Sequence, residues 1–211
     1  APGRTSAAGI PGATLGSTTS IVTMDASGCT FAASPSDTLD GGPIIPELGI
    51  LCSPRGVQSR LSNSHPNRVR PGGRPVVTPA PIIATQGDES WALACPGGDV
   101  IAQALAQVMW RVMTTGASLQ EAVEAPRFAS FNVPSAFHPH PSADRLVYTE
   151  GGINEREREQ LRAQGHHVEV WPNFEFDAGS VQTIRSAPNS QGERVLTAGA
   201  DPRRLAYGLA R

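Results

Sequence analysis

Two short stretches carry residue types whose spacing could do nucleophilic chemistry. Gly16-Ser17-Thr18-Thr19 precedes a short apolar run, and Cys95-Pro96-Gly97-Gly98-Asp99 precedes the strongest helical pattern in the chain. A threonine hydroxyl is a weak nucleophile until a base takes its proton, and acyl transfer needs fixed donors for the developing oxyanion. Cutting the bond between Ser17 and Thr18 would free an α-amino group whose reference pKa, about 7.7–8.0, suits a base near neutral pH. The Pro-Gly-Gly turn would supply unencumbered backbone N–H groups at the positive end of a helix dipole. Each stretch also has an ordinary explanation: threonine favours strands, and paired glycines before a helix are common.

The elements that would position these groups follow from pattern. Ser20 to Met24 and Cys29 to Ser34 read as a hairpin about the turn Asp25-Ala26-Ser27-Gly28. Residues 35–47 read as a loop and Leu48 to Cys52 as a short strand. The polar stretch from Arg55 to Gly73 reads as a long surface loop. Pro81 to Ala84 and Trp91 to Ala94 flank a polar turn and predict a second hairpin. Val100, Ile101, Leu105, Val108, Met109, Val112 and Met113 recur at helical spacing. Ser118 with Glu121 forms a capping box for a second helix stopped by Pro126, and Asn154 to Gly165 brackets a third. His167 to Trp171, Val181 to Ile184 and Arg194 to Ala198 then read as strands. Helices and strands so segregated predict an α+β layered domain.

Composition narrows the function. Net charge is −2, from 17 Lys+Arg and 19 Asp+Glu, so nucleic acid is not an expected partner. The three cysteines, Cys29, Cys52 and Cys95, show no CxxC spacing and read as buried thiols rather than a disulfide framework. No apolar run is long enough to span a membrane. His138-Pro139-His140 and His166-His167 are poor metal-ligand arrangements, so no metal is expected. Residues 1–17 have a linker composition, which suggests the end of a longer precursor, with residues 18–211 as the domain proper.

A resemblance sharpens this reading. Thr18-Thr19-Ser20-Ile21-Val22-Thr23-Met24-Asp25-Ala26-Ser27-Gly28 is similar to the stretch that opens the small subunit of γ-glutamyltransferases. Leu48-Gly49-Ile50-Leu51, Arg74-Pro75 through Pro81, Cys95-Pro96-Gly97-Gly98, Glu124-Ala125-Pro126-Arg127-Phe128, Gly179-Ser180-x-Gln182 and Ala200-Asp201-Pro202-Arg203 resemble later motifs of that family, in order. The resemblance implies the small-subunit half of a four-layer αββα sandwich of the N-terminal-nucleophile hydrolase type. It implies self-cleavage between Ser17 and Thr18, Thr18 as nucleophile and Thr19 orienting its amine. Gly97 and Gly98 would form the oxyanion hole, and Thr38, Val77 and Thr78 would face the substrate. It further implies a large subunit from the same precursor as partner, a small-molecule amide (γ-glutamyl or another acyl amide) as substrate, and no cofactor. An acylase with a non-glutamyl substrate, or an inactive relative serving as a binding module, are the competing readings.

The departures bear on specificity. Asp37-Thr38, Arg55, Val57 and Gln58 stand where the family holds the glutamate ammonium and carboxylate with other polar groups. Val77-Thr78 replaces a serine pair, and Ser20 stands where histidine is usual. A site that loses such partners discriminates strongly against the ligand they held. Asp201 and Arg203 read as a structural ion pair, and Trp91, Trp110 and Trp171 as core or interface residues.

Overall fold

The computed structural model describes residues 17–37 and 43–209. Residues 1–16 of the expected linker lie outside them, as does the expected substrate contact Thr38.

The chain opens with β1 (Ser17–Thr18), β2 (Ile21–Met24), β3 (Thr30–Ala33) and β4 (Ser36–Asp37). The hairpin turn is closed by Asp25, whose carboxylate accepts from the Ser27 hydroxyl at 2.7 Å and the Cys29 N–H at 2.9 Å. Gly28 sits there at φ 88°, where a β-carbon would be strained. β5 (Ile44–Ile45) and β6 (Ile50–Leu51) form a smaller pair, shorter than the strand expected at 48–52. A 3₁₀ turn at Arg55–Gln58 interrupts the expected loop.

Then come β7 (Ile82–Gln86) and β8 (Glu89–Ala94), α1 (Ile101–Thr115) and α2 (Leu119–Glu124), β9 (Phe128–Ser130) and β10 (Leu146–Glu150). The chain continues through α3 (Glu155–Ala163), β11 (His167–Trp171), β12 (Gln182–Pro188) and β13 (Arg194–Ala200). Architecture is mixed α and β, with strands predominating. The principal sheet runs β13-β12-β8-β7, antiparallel throughout.

Alternation along β8 builds the layers. Trp91, Leu93 and the following Cys95 turn toward the helices, where Ile101, Leu105 and Val108 of α1 and Leu119 and Val123 of α2 close a buried core. Each fully buried aliphatic side chain there contributes about 1.5–3 kcal/mol of transfer free energy. Ser90, Ala92 and Ala94 point the other way and are small, so the β2–β3 hairpin packs closely on that face of β8 and β12. There the Ser90 hydroxyl meets Met24 Sδ at 4.0 Å. The order is helices, sheet, hairpin.

The helices end as their sequences dictate. Both halves of the Ser118–Glu121 capping box form, and Asn154 Oδ1 accepts from the Glu157 N–H at 2.9 Å. Such caps stabilise a helix by about 1 kcal/mol each. α1 stops at Gly116 with φ 68°.

A second sheet, β11-β10-β9, departs from the expected segregation of helices and strands. β10 pairs with β11 in parallel through the α3 crossover, and with β9 antiparallel. Neither β9 nor β10 is foreseen from pattern. In Leu146-Val147-Tyr148-Thr149-Glu150 the polar residues are as buried as the apolar ones, which erases the alternation that marks a strand. Thr149 and Glu150 tolerate burial because Arg158 donates to Thr149 Oγ1 at 3.1 Å and Arg203 donates to Glu150. The cysteines also differ from expectation: Cys95 is buried, Cys52 is half-buried and Cys29 is exposed at the hairpin turn.

Candidate active site

Thr18 is the second residue of β1, and its placement follows from the hairpin. Ile21 pairs with Ala33, and three residues outward on each side the same register sets Thr18 opposite Ser36. The two hydroxyl oxygens lie 2.6 Å apart, a hydrogen bond in which either can donate. Between the paired segments the Thr19 N–H donates to the Pro35 carbonyl at 3.0 Å, while Thr19 itself is exposed. Ser36 is therefore the hydroxyl that meets the prospective nucleophile, in a stretch where the residue pattern predicts only loop. Extending the hairpin register is the signal that locates it.

Ser36 is held in turn by Arg55, the first residue of the 3₁₀ turn. Arg55 Nη2 donates to the Ser36 hydroxyl and Nε to the Ser36 carbonyl at 3.3 Å. Its guanidinium lies 5.8 Å from the centroid of the Phe137 ring. Residues three apart eclipse in a 3₁₀ turn, so Gln58 shares the Arg55 face. Gln58 is 2% exposed and its Nε2 donates to Thr78 Oγ1 at 3.3 Å, leaving Oε1 buried and unpaired. Thr78 is half-buried beside it, and Val77 is 66% exposed.

The glycine turn has the backbone that a donor pair requires. Gly97 has φ 151° and Gly98 φ 59°, so a side chain at either would be strained. A Cβ on Gly97 would meet Val100 Cγ2 at 2.8 Å and Gly179 Cα at 3.1 Å. Among the described residues neither glycine N–H donates to a protein acceptor. Gly98 opens a short 3₁₀ segment that runs into α1. Cys95 is inert at this turn: burial pushes its thiol up to about 11, with Arg127 opposing weakly.

One segment clips the glycine turn to the Arg55 turn. Asp99 accepts from the Ser135 hydroxyl at 2.6 Å and the Ala136 N–H at 3.0 Å. At its other end the His138 N–H donates to the Val57 carbonyl at 2.8 Å, and a His140 ring nitrogen lies 3.3 Å from the Ser59 carbonyl. Phe137 falls between these anchors, its Cε2 3.6 Å from where a Gly98 Cβ would be. Its ring thus lies between Gly98 and the Arg55 guanidinium.

Behind the glycine turn sits a buried ionic network. Asp201 pairs with Arg127 at 2.5 Å and with Arg203 at 3.1 Å, and Arg203 also pairs with Glu150 at 2.5 Å. The reading of Asp201 and Arg203 as structural holds, and it extends to Arg127 and Glu150. Arg127 donates to the Gly179 carbonyl at 2.9 Å, and Asp201 accepts from the Val181 N–H at 2.9 Å, so the network grips the segment that packs on Gly97. Burial pulls the Arg127 guanidinium below its ordinary pKa, against the opposing effect of Asp201. For Arg203 burial pulls the same way, but Glu150 and Asp201 outweigh it and the pKa is raised. Among the described residues no cluster of three or more His, Cys, Asp or Glu could hold a metal, and no helix is long and apolar enough to cross a membrane.

Comparison with known proteins places this arrangement. The "Gamma-glutamyltranspeptidase" family description matches residues 4–210. The gamma-glutamyltranspeptidase of Pseudomonas nitroreducens shares the fold, with a TM-score of 0.71 and 21% identity, over 92% of this chain and 99% of that one. The Acylase ACY 1 proenzyme of Pseudomonas sp. (strain SE83) is 29% identical over 221 residues, covering 97% of this chain and 35% of the relative. The Oxamate amidohydrolase proenzyme of Klebsiella pneumoniae is 29% identical over 174 residues, covering 82% of this chain and 31% of the relative. The chain belongs to the gamma-glutamyltranspeptidase family. It spans about a third of the length of the curated relatives it matches.

Proposed function

We propose that the chain is the catalytic small-subunit part of an N-terminal-nucleophile amidohydrolase or acyltransferase, with Thr18 as nucleophile. The observation that carries the reading is the 2.6 Å contact between the Thr18 and Ser36 hydroxyls at the entry to the hairpin. In this chain the Thr18 nitrogen belongs to a peptide bond and has no basicity. Cleavage between Ser17 and Thr18 turns it into an amine that takes the Oγ proton as Oγ attacks the substrate carbonyl carbon. The Gly97 and Gly98 N–H groups receive the oxyanion, and Thr19 steadies the amine. The C–N bond then breaks and the proton passes to the leaving amine, which departs from an acyl ester on Thr18. Water or a second amine attacks that ester and regenerates the hydroxyl, so kinetics are ping-pong.

The rest of the fold is supplied by the remainder of a precursor, as the proenzyme names of the relatives and their greater length support. It completes the four-layer αββα sandwich as a large subunit, covering Trp110 and Met113 of α1, which are 68% and 50% exposed. No cofactor enters this chemistry. Thr78 and Val77 face the acyl side. The exposed Val77 and the cation Arg55 favour an acylase reading over a γ-glutamyl one, since neither can hold an ammonium group.

The test is made on the longest polypeptide that carries these residues. Thr18→Ala should abolish both cleavage before residue 18, read by mass spectrometry, and turnover of acyl anilides, while Thr18→Ser keeps part of each. Normal cleavage and turnover in Thr18→Ala would refute the reading.

A further inference from the structure

We infer that Asp99 is a positioning residue for acyl transfer: through residues 135–138 it sets the distance between the glycine turn and the paired hydroxyls of Thr18 and Ser36. The inference rests on Thr18 as nucleophile and on Gly97 and Gly98 as the oxyanion donors.

Asp99 follows Gly98 directly, in the 3₁₀ segment that runs into α1. An acidic side chain at such a place ordinarily caps the helix or complements its dipole. Here no side-chain cap closes either the 3₁₀ segment or α1. Both carboxylate oxygens go elsewhere. Oδ2 accepts from the Ser135 hydroxyl at 2.6 Å and Oδ1 from the Ala136 N–H at 3.0 Å. Hydrogen bonds to an ionised acceptor are roughly twice as strong as neutral ones.

What Asp99 grips is the tip of the connection between β9 and β10, and that tip is closed on itself. The Ser135 N–H donates to the Pro141 carbonyl at 2.8 Å and the His140 N–H to the Phe137 carbonyl at 2.6 Å. The Phe137 N–H donates to the Ser135 hydroxyl at 3.1 Å, and a His140 ring nitrogen lies 3.0 Å from the Ser135 carbonyl. A tip bonded in this way moves as a unit. Its other grip, the His138 N–H on the Val57 carbonyl at 2.8 Å, comes only two residues after Ala136, a span of at most about 7 Å. Val57 shares its 3₁₀ turn with Arg55, which donates to Ser36, and Ser36 meets Thr18. Ser36 lies in the two-residue β4, beyond the end of the hairpin, so its place depends on Arg55. Residues 136–138 are a short tie between the turn that offers the N–H donors and the turn that holds the nucleophile's partner.

Acyl transfer needs those two groups in register, and a misplacement of about 1 Å costs about 10²-fold in rate. Self-cleavage has no such need, because the carbonyl attacked is that of Ser17, which β1 holds beside Thr18. Asp99 is exposed, so its replacement leaves the core intact and a change in kcat is not a folding defect.

The experiment uses the processed full-length protein and a panel of acyl p-nitroanilides running from acetyl to γ-glutamyl. Asp99→Ala should lower kcat about 10- to 100-fold on each compound the wild type hydrolyses, with KM within about threefold. Cleavage before Thr18 should still go to completion, and the thermal midpoint should move by no more than about 3 °C. Asp99→Asn keeps an acceptor for the Ala136 N–H and a donor for the Ser135 hydroxyl, so it should restore most of kcat. A carboxylate that acted only on the helix dipole would not be replaced by a neutral amide. Native kcat in Asp99→Ala, a loss confined to KM, cleavage lost in step with turnover, or a kcat that Asp99→Asn leaves low would each overturn the inference while leaving Thr18 as nucleophile. Turnover that survives Thr18→Ala, or a wild type inert on the whole panel, would overturn the amidohydrolase reading and this inference with it.

Discussion

Replacing Asp201 with alanine should cost more stability than any hydrophobic truncation in the core. Its carboxylate accepts from Arg127 Nη2 at 2.5 Å, Val181 N at 2.9 Å, Arg203 N at 3.0 Å and Arg203 Nη1 at 3.1 Å. Asp201 is 0% exposed, as is Arg127, so no solvent replaces these bonds. Without it Arg203 keeps Glu150, whereas the Arg127 guanidinium keeps only the carbonyls of Val123, Ala178 and Gly179. Removing one partner of a buried ion pair costs about 3–5 kcal/mol. Orphaned amides add about 1–3 kcal/mol each, though such losses do not sum. A total of about 4–6 kcal/mol is expected, against a domain stability of about 5–15 kcal/mol. Arg127→Met combined with Asp201→Leu removes the stranded Arg127 charge and should recover part of that loss, the Val181 and Arg203 N–H groups staying unpaired. The double variant still lacks the Arg127 bond to the Gly179 carbonyl, so it should fold yet turn over slowly. Urea unfolding of the assembled protein, followed by two spectroscopic probes, measures the first part, and anilide hydrolysis the second. A loss under about 1.5 kcal/mol for Asp201→Ala, or a double variant no better than the single one, would refute the reasoning.

Two further outcomes follow from the glycine turn. Gly98→Val places a β-branched side chain at φ 59° beside Phe137 and should lower kcat by about 10²–10³, the usual loss for one oxyanion donor; native kcat would remove this turn from the mechanism. Cys95 predicts a pH dependence: its thiol is held at about 11 by burial against an ordinary 9.0, so the unfolded chain ionises first as pH rises. Its contribution is complete below pH 9 and lost through pH 11, on the order of 2 kcal/mol, and Cys95→Ala should flatten that part of the unfolding profile. Tyr148, raised from 10.0 chiefly by burial, acts in the same direction, so Tyr148→Phe is the control that isolates the Cys95 share.

What could be read from the sequence was what repeats or punctuates. α1 announces itself through apolar residues at helical spacing and the Gly116 stop, and the first hairpin through its Asp-x-x-Gly turn. β10 hid because its burial is made possible by arginines far along the chain: Arg203 is 53 positions from Glu150. No local pattern carries that information. Ser36 was hidden for another reason. β4 is only two residues long and follows a proline, so propensity marks it as loop, and only the pairing register reveals it. Arg55 could be seen as a departure from the family's pattern, but its contact with Ser36 crosses an irregular connection that no local pattern reveals.

The distribution of the family-like motifs then has a physical explanation. Glu-Ala-Pro-Arg-Phe, Gly-Ser-x-Gln and Asp-Pro-Arg contribute Arg127, Gly179 and Asp201 to one buried assembly, and Pro-Gly-Gly rests on it so closely that a Cβ added at Gly97 would come within 3.1 Å of Gly179 Cα. Altering any member strands a charge or fills a space that has none to give, so chemistry and stability are tied together there. Arg55, Gln58 and Val77 sit on irregular connections, and Arg55 and Val77 leave the hydrophobic core untouched. An exchange at the exposed Val77 changes stability by about 0.5 kcal/mol or less. On the proposed reading, residues facing the substrate could then change while Thr18, the glycine turn and their buried support stay fixed, which would let a changed specificity and a kept mechanism coexist in one chain.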